Sequence, residues 1–443
     1  MCLTILTSPT SCTSLFTIAT LINPNTILFI MRYNKILDLL HSRGVHTVDL
    51  GLERIEKLLK KLGNPHKKLD VILVAGTNGK GSTAAMISSI LQEANFKVGV
   101  YSSPHLVRFT ERFKINKEEI LKKEIEALFE KIKPHLNDND GLTYFEIITA
   151  MAYLYFKEQG VDYAVMEVGM GGRLDATNVV DPIVSVITNV SLEHTQYLGK
   201  CVEEIAYEKA GIIREHGYVV TAAEGEVLEV LRQIAMQKQA TLLVATPTGL
   251  DLGLRGEFQK INAGLAIKTI KTLKYSGVEI PKIALMNGLS KATLNGRFQF
   301  FKRNVIIDCA HNVASVEVIM DELTTLKEEY VINPSEHEED EKKYGKFHLV
   351  FGAMKDKDVK QMISLLEPFF DTITITRPHG DRGEMKERSE DPKVISKYIS
   401  RHEKVNVVEE PKQALKKAQS LANDEDLILV TGSCYLIGDI IRG

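Results

Sequence analysis

The chain has 443 residues, which is too long for one ordinary domain and fits two or three. Hydrophobic residues make up 44% and charged residues 26%, the balance of a soluble globular protein. The formal net charge of −3 gives no electrostatic reason to expect nucleic acid or an anionic membrane as a partner.

Five cysteines are scattered along the chain, and none belongs to a CxxC pair. Their spacing therefore predicts neither a zinc site nor a disulfide framework. A reducing cytoplasm is the simplest setting for such a chain. We expect a cytoplasmic monomer that has no membrane partner.

The first thirty residues contain no Lys, Arg, Asp or Glu and are rich in Ser and Thr. A secretory signal would have a basic start, and a transmembrane span would need about 20 consecutive apolar residues. Neither is present, and an amphipathic stretch begins at Met31. We expect residues 1–30 to be a non-native or disordered leader, with a membrane-associated leader as the alternative.

From about residue 32 the pattern alternates between short apolar strands and helices. Strands are predicted at 69–75, 97–102, 163–168 and 184–190, and helices at 82–95, 202–213 and 258–273. This βαβ alternation predicts a parallel sheet with helices on both faces.

A glycine-rich turn joins the first strand to the first of these helices. It consists of Gly76, Thr77, Asn78, Gly79, Lys80, Gly81 and Ser82. Glycines let backbone N–H groups turn inward around phosphate oxygens, and the helix N-terminus adds partial positive charge. Lys80 can neutralise phosphate charge and the Ser82 hydroxyl can coordinate Mg²⁺. The turn predicts a P-loop for ATP or GTP, although Gly81 departs from the common GxxxxGK[ST] spacing. A turn that merely packs tightly is the alternative.

A second alternation begins after Arg297. Strands are predicted at 305–309, 348–352, 372–376, 405–408 and 427–430, and helices at 357–366 and 412–422. The predicted fold is thus α/β, with a P-loop parallel-sheet ATPase domain at 31–297 and a smaller Rossmann-like α/β domain at 298–443. A charge run at 336–343 has no apolar face and is typical of a solvated loop or helix end.

Polar residues stand at the ends of several predicted strands. Glu167 ends a strand, the usual place for a metal or nucleotide ligand in an α/β sheet, and could hold Mg²⁺ beside Ser82. His194 follows another strand and is a candidate second metal ligand, although a lone histidine is more often a loop or core residue. Lys209, alone, would be an ordinary solvated lysine in a helix. Asp308 ends a strand of the second domain and can accept from ribose hydroxyls or cap a helix.

The P-loop and eight further segments occur in a characteristic order. The further segments are SPHL at 103–106, TYFE at 143–146, EVGMGGRLDATN at 167–178, His194 with LG at 198–199, EKAGI at 208–212, GR at 296–297, DCAHN at 308–312, and GSCYL at 432–436. Across residues 32–443 the chain resembles the folylpolyglutamate synthase and dihydrofolate synthase family of the Mur ligase superfamily.

The resemblance implies an ATP-dependent acid–amino-acid ligase with two Mg²⁺ ions. It implies that the metal ligands are Ser82, Glu167, His194 and Lys209, the last carbamylated by CO₂. It further implies that Gln259 and Asn262 contact the purine, that Arg297 and Asp308 contact ATP from the second domain, and that His311 lies near the reacting groups. The implied catalytic residues are Lys80, Lys209 and His311.

The implied substrates are a folate γ-carboxylate as acceptor and L-glutamate as the amine, or dihydropteroate plus glutamate in the related reaction. The pterin side would be lined by Ser103, His105, Thr143, Phe145 and Glu146. Three positions depart from the expected pattern and leave the pterin form open: Glu193 precedes His194 where Asp is usual, Gln299 stands where an acid is usual, and Cys434 stands where Leu is frequent.

The implied chemistry passes through an acyl phosphate, because a carboxylate does not react with an amine in neutral water. ATP forms the acyl phosphate with charge neutralisation by Lys80 and Mg²⁺, and the amine then displaces phosphate. We expect His311 or a nearby carboxylate to accept the amine proton, and the two domains to close over ATP. The alternatives are another Mur-type ligase, a P-loop kinase or NTPase, and a nucleotide-binding module without catalysis.

Overall fold

The computed structural model describes residues 24–45, 47–137, 139–332, 344–381 and 385–442. Residues 1–23 of the predicted leader and the charge run at 336–343 lie outside these ranges, whereas residues 24–30 belong to a helix that continues through Met31. The fold is α/β and contains two sheets, as predicted. No helix in the described ranges is long and apolar enough to cross a lipid bilayer.

The first sheet has eight strands. They are Val71–Ala75 (β1), Val98–Tyr101 (β2), Phe113–Ile115 (β3), Glu118–Glu119 (β4), Tyr163–Glu167 (β5), Val184–Ile187 (β6), Tyr218–Thr221 (β7) and Thr241–Val244 (β8). Their order is β4-β3-β2-β5-β1-β6-β7-β8. The four predicted strands are confirmed and pair in parallel, but β3 and β4 add an antiparallel edge, so the sheet is mixed.

Helices cover both faces of this sheet. Successive residues of its central strand, β1, therefore pack in two different hydrophobic cores. Leu73 packs in one hydrophobic cluster and Val74 in another. The helices are Pro24–Ser42 (α1), Glu53–Lys61 (α2), Lys80–Glu93 (α3), Lys122–Ile132 (α4), Tyr144–Gln159 (α5), Thr195–Leu198 (α6), Val202–Ala210 (α7), Gly225–Gln237 (α8), Gln259–Thr272 (α9) and Lys282–Lys291 (α10).

The second sheet has six strands. They are Gln299–Lys302 (β9), Val305–Ile307 (β10), Phe347–Phe351 (β11), Thr372–Ile375 (β12), Val405–Val407 (β13) and Leu427–Thr431 (β14). The order is β13-β12-β11-β14-β10-β9, and only β9 among these strands runs antiparallel to its neighbour. The helices are Val313–Ile332 (α11), Val359–Leu366 (α12), Pro392–Ser396 (α13), Pro411–Leu421 (α14) and Cys434–Ile441 (α15).

The order of the strands determines where the polar loops meet. β1 lies between β5 and β6, so the loops that follow these three strands are neighbours at the carboxyl edge of the first sheet. β10 lies beside β14, so the loop at 308–312 adjoins the start of α15. The carboxyl edge of a parallel sheet is where α/β proteins bind ligands.

Candidate active site

A cleft of about 400 Å³ lies between the two sheets and is lined by loops of both. It brings together most of the predicted site residues: Gly76, Thr77, Asn78, Gly79, Lys80, Gly81, Ser82, Ser103, Glu167, His194, Lys209, Asn262, Arg297, Asp308 and His311. These residues are spread between positions 76 and 311 of the sequence, and the fold gathers them around one volume.

The P-loop between β1 and α3 has a backbone that only glycine accommodates at two positions. Gly76 has φ 146° and Gly79 has φ 82°, and a Cβ at either would overlap a neighbouring side chain, Thr188 or Asn262 respectively. The Thr188 hydroxyl is itself fixed, because it donates to the carbonyl of Asn78 at 2.6 Å. The glycines therefore allow the loop to pack tightly, while the N–H groups of Thr77 and Asn78 donate to the backbone and side-chain carbonyl oxygens of Asn189 at 2.9 and 2.8 Å.

Lys80 is the first residue of α3 and its side chain folds back over the loop. Its ammonium group donates to the carbonyl oxygens of Gly76 and Thr77, at 2.9 Å each. A positive charge is thus held against the phosphate-binding turn, at the N-terminus of a helix whose own dipole has the same sign.

Glu167, at the end of β5, presents a buried carboxylate next to the P-loop. Its Oε2 accepts a hydrogen bond from the Ser103 backbone N–H at 3.2 Å, and a Cβ at Gly81 would lie 3.7 Å from the same oxygen. Burial raises the pKa of Glu167, while Lys80 and Arg297 oppose that rise. A buried carboxylate with so few donors fits a cation as an additional partner.

His194 lies in the loop after β6 and is suited to metal binding by its protonation state. Burial, and then the charge of Lys357, lowers the pKa of His194 to about 4. The ring is therefore neutral at pH 7, the form that ligates metals. The described residues contain no group of three or more His, Cys, Asp or Glu side chains arranged around one metal position. The predicted ligand set has only two such residues, Glu167 and His194, and otherwise depends on Ser82 and Lys209.

Lys209, on α7, is buried, with 3% of its surface exposed. Burial, and then the charge of Lys80, lowers the pKa of Lys209 to about 7. Its ammonium group forms no hydrogen bond or ion pair with the described residues. A large fraction of this amine is therefore neutral near pH 7, unlike that of a solvated lysine.

Asp308, at the end of β10, holds the turn that carries Arg297. Its two carboxylate oxygens accept from the backbone N–H groups of Phe298 and Ala310, at 2.7 Å each, and Phe298 has φ 41°. Burial raises the pKa of Asp308 to about 6. Asp308 does not cap α11, so the helix-cap alternative is wrong; its carboxylate stabilises the loop and also lines the cleft.

His311 forms a contact across the cleft that the sequence did not reveal. Its Nε2 lies 3.1 Å from Oε1 of Glu193, and its Nδ1 lies 2.8 Å from the carbonyl oxygen of Cys309. Lys357, just before α12, donates to the same Glu193 oxygen at 3.2 Å. Glu193 raises the pKa of His311 against the effect of burial. Glu193 was notable in the sequence only as a departure from a pattern, and Lys357 gave no signal.

A second contact across the cleft joins the P-loop to the second sheet. The side-chain amides of Asn78 and Asn312 pair reciprocally, at 3.0 and 3.2 Å. Asn312 belongs to the DCAHN segment, so its motif was noted but its partner was not.

A neighbouring pocket of about 300 Å³ contains most of the predicted pterin-side residues, namely Ser103, Thr143, Phe145 and Glu146. Asp356 and Arg388, in loops of the second sheet, and Tyr435 of α15 also line it. Glu146 also has a local role, because it caps α5 together with Thr143 and pairs with Arg54 at 3.1 Å.

Two predicted residues lie elsewhere. His105 lines a separate pocket of about 220 Å³ and accepts from Arg112 at 2.9 Å. Gln259 is fully buried on α9, where its Oε1 accepts from Asn262 at 2.9 Å and its Nε2 finds no hydrogen-bond partner in the described part of the chain. Asn262 therefore lines the cleft directly, whereas Gln259 does not line it and orients the side-chain amide of Asn262 through this hydrogen bond.

The chain matches two family models in sequence. Residues 74–280 match the Mur ligase middle domain, and residues 296–434 match the Mur ligase, glutamate ligase domain. The dihydrofolate synthase/folylpolyglutamate synthase of Bacillus subtilis is 35% identical, over 90% of this chain and 96% of its own length. A probable bifunctional folylpolyglutamate synthase/dihydropteroate synthase of Haloferax volcanii is 34% identical over 92% of this chain, but the chain spans only 50% of that relative's length.

Solved structures show the same fold over nearly the full chain. Escherichia coli FolC in complex with DHPP and ADP is 31% identical, with a TM-score of 0.78 and coverage of 93% of this chain and 97% of that chain. A bifunctional folylpolyglutamate synthase/dihydrofolate synthase with Mn, AMPPNP and L-glutamate bound is 29% identical, with a TM-score of 0.78 and coverage of 92% and 97%.

Proposed function

Because this chain belongs to the folylpolyglutamate synthase/dihydrofolate synthase family of the Mur ligase superfamily, we propose that it adds L-glutamate to the γ-carboxylate of a tetrahydrofolate. It is an ATP-dependent ligase that uses a divalent metal ion. We also propose the related joining of glutamate to dihydropteroate. One observation carries the proposal: the P-loop, the buried Glu167 and Lys209, and Arg297 line one cleft beside an acceptor pocket.

The first half-reaction activates the acceptor. A carboxylate oxygen attacks the γ-phosphorus of ATP, the bond from that phosphorus to the β-bridging oxygen breaks, and acyl phosphate and ADP result. Lys80 and the P-loop N–H groups bind the phosphates, and Arg297 approaches the same volume from the second sheet. Phosphoryl transfer depends on such positioning and charge neutralisation rather than on covalent help from the protein.

Ser82, Glu167, His194 and Lys209 are the residues that would hold Mg²⁺, which neutralises charge on the phosphates when bound. We propose two such ions and a carbamate on Lys209, formed when its neutral amine attacks CO₂ and releases a proton. The lowered pKa of Lys209, to about 7, and its burial without a hydrogen-bond partner among the described residues support this modification.

The second half-reaction forms the amide. The amine of glutamate attacks the acyl carbon, loses a proton, and inorganic phosphate leaves as the C–O bond breaks. In the arrangement seen here both nitrogens of His311 face oxygen acceptors, the Cys309 carbonyl and the Glu193 carboxylate, so its ring has no free acceptor. A role for His311 as the proton acceptor therefore requires it to separate from Glu193; otherwise it acts as a cation.

The acceptor pocket supports the assignment of the pterin side. It shares Ser103, Pro104 and His194 with the cleft, so a molecule bound there can extend a carboxylate towards the P-loop. We propose that Thr143, Phe145 and Glu146 lie on the pterin side. The division into domains at residues 31–297 and 298–443, the monomeric state, the cytoplasmic location, and the lack of nucleic-acid and membrane partners also remain our predictions.

The test is a product assay. The purified chain is incubated with ATP, Mg²⁺ and L-glutamate and, in parallel, with dihydropteroate, tetrahydrofolate monoglutamate or a UDP-muramyl precursor, and ADP and product mass are followed. We expect an amide product with the two pterins and none with the muramyl precursor. ADP and phosphate release without any amide would favour the NTPase alternative.

A further inference from the structure

We propose that Glu193 is a positioning residue that holds His311 and Lys357 of the second sheet at the edge of the cleft, and that the ligase reaction depends on this clamp. The inference rests on the proposed function and adds to it a residue that acts through His311 and Lys357. We use the word clamp for the contact among the side chains of Glu193, His311 and Lys357.

The geometry of the clamp is that of one carboxylate oxygen with two donors. Oε1 of Glu193 lies 3.1 Å from Nε2 of His311 and 3.2 Å from Nζ of Lys357. Glu193 follows β6 in the first sheet, whereas His311 follows β10 and Lys357 precedes α12 in the second. A single carboxylate therefore joins two loops of the second sheet to the cleft wall of the first.

The clamp combines one negative side chain, Glu193, with two positive side chains, His311 and Lys357, and its charges match only when all three are present. The Glu193 side chain is 8% exposed and that of Lys357 is 11% exposed. Nδ1 of His311 must donate to the Cys309 carbonyl and Nε2 must donate to Glu193, because neither oxygen can donate, so the ring carries both protons. Two cations thus face one mostly buried anion. Without that anion they would repel each other and one would have to move into solvent.

The place of the clamp connects it to the reaction. Glu193, His194 and His311 line the same cleft as Lys80 and the P-loop. Charge-assisted hydrogen bonds are about twice as strong as neutral ones, so the clamp can fix the position of loops that the reaction needs close to ATP. A small misplacement of such loops costs catalysis more than it costs substrate binding.

One further contact offers a competing explanation. Nε2 of His194 lies 3.8 Å from the same Glu193 oxygen, so Glu193 could instead orient a metal ligand. Two further charged groups lie near the clamp: Asp356, 3.7 Å from Lys357, and Lys80, whose charge acts on Glu193, and neither reaches His311 in any described contact.

The experiment uses two substitutions that alter Glu193 in different ways. Glu193→Gln keeps the length of the side chain and removes its charge, whereas Glu193→Asp keeps the charge and withdraws the carboxylate by ~1.5 Å, about one C–C bond. Glu215→Gln, at an exposed carboxylate outside the cleft, is the matched control. Amide formation from glutamate and the pterin acceptor is measured at saturating and limiting substrate, together with AMPPNP binding and the unfolding temperature.

We expect both Glu193 variants to lower kcat by at least about tenfold, with KM for the acceptor changed less than about threefold. AMPPNP binding should stay close to that of the control, whereas Glu193→Gln should lower the unfolding temperature, because it leaves two mostly buried cations without their anion. In a Lys357→Met background, Glu193→Gln should cost much less than it does alone, because its partner is already absent. A purely structural role would lower the unfolding temperature but leave the kcat of the folded variant close to that of the wild type, with no coupling to Lys357 in kcat.

Two results would overturn the clamp. The first is a kcat within about twofold of the wild type for Glu193→Asp, whose carboxylate no longer reaches both donors. The second is full recovery of kcat by either Glu193 variant at excess Mg²⁺. That result would indicate that Glu193 orients His194 as a metal ligand. If the wild-type chain itself makes no amide, the proposed function fails and the clamp loses its basis, an outcome distinct from both.

Discussion

At the residue scale, the environment of each cleft side chain determines its chemistry more than its residue type does. Lys80 and Lys209 differ in this respect: the first donates to two loop carbonyls, while the second is buried without a described partner and has a pKa lowered to about 7. The sequence placed both lysines in the site through their motifs. It could not reveal the burial that lowers the pKa of Lys209, because burial depends on how α7 packs within the fold.

Lys209→Met tests whether burial of this amine costs stability. The folded pKa of about 7 lies below the ordinary 10.5, so between these values the unfolded chain binds more protons and wild-type stability rises with pH. The penalty is complete below pH 7 and disappears above pH 10.5. We therefore expect Lys209→Met to raise the unfolding temperature by ~2–4 °C at pH 7 without bicarbonate or Mg²⁺, and by less at pH 10.

The same variant should lose ligase activity by about 100-fold or more, because the methionine cannot form a carbamate or hold a metal. Calorimetry and the amide assay measure the two effects separately. A lower unfolding temperature than wild type at pH 7, or activity retained at the wild-type level, would contradict the account of Lys209.

At the element scale, the strands at the centre of both sheets were predicted, whereas β3, β4, β7, β8 and β9 were not. All five residues of β1, β5 and β14 are buried, and each has an uninterrupted or nearly uninterrupted apolar sequence. By contrast, β3, β4 and β8 are short and partly exposed, so their periodicity is too weak to separate strand from loop. The antiparallel edge and the mixed sheet were missed for that reason.

Gly76→Ala tests the requirement for glycine in the P-loop. The new Cβ would overlap Thr188, whose hydroxyl is held by two carbonyl oxygens, and the backbone would keep φ 146°. We expect a loss of about 1–3 kcal/mol in unfolding free energy and a clear loss of AMPPNP affinity. Denaturant unfolding measures the unfolding free energy, and calorimetric titration measures the affinity for AMPPNP.

Gly249→Ala is the matched control for this prediction, because nothing lies within 4 Å of its added Cβ. It should change neither quantity. Unaltered AMPPNP binding in Gly76→Ala would show that the tight passage of the loop against Thr188 is not needed for phosphate binding.

At the scale of the whole molecule, the site exists only where the two sheets face each other. The residues that close it, Glu193 with Lys357 and Asn78 with Asn312, are 164 and 234 positions apart in sequence. Motifs could place individual residues at strand ends, since strand ends are local features. The pairing of distant loops depends on how the two sheets pack, which no local pattern encodes.

Asn312→Ala tests the contribution of the P-loop contact between the sheets. The change removes two reciprocal hydrogen bonds of 3.0 and 3.2 Å, and also the bond that Asn312 Oδ1 accepts from the Ser315 N–H at 2.9 Å, without leaving a buried charge. We expect KM for ATP to rise about three- to tenfold and the unfolding temperature to fall modestly, because the last bond caps the first turn of α11. Steady-state kinetics at varied ATP measure this change. An unchanged KM for ATP with a lower kcat would contradict the prediction.

The most direct test of the whole account follows oxygen atoms. The acceptor is prepared with ¹⁸O in the carboxylate that receives glutamate, and inorganic phosphate is analysed by mass spectrometry after the reaction. An acyl phosphate intermediate transfers about one labelled oxygen to phosphate for each amide bond formed. Phosphate that is released without label, while ATP is consumed, would contradict carboxylate activation in the cleft.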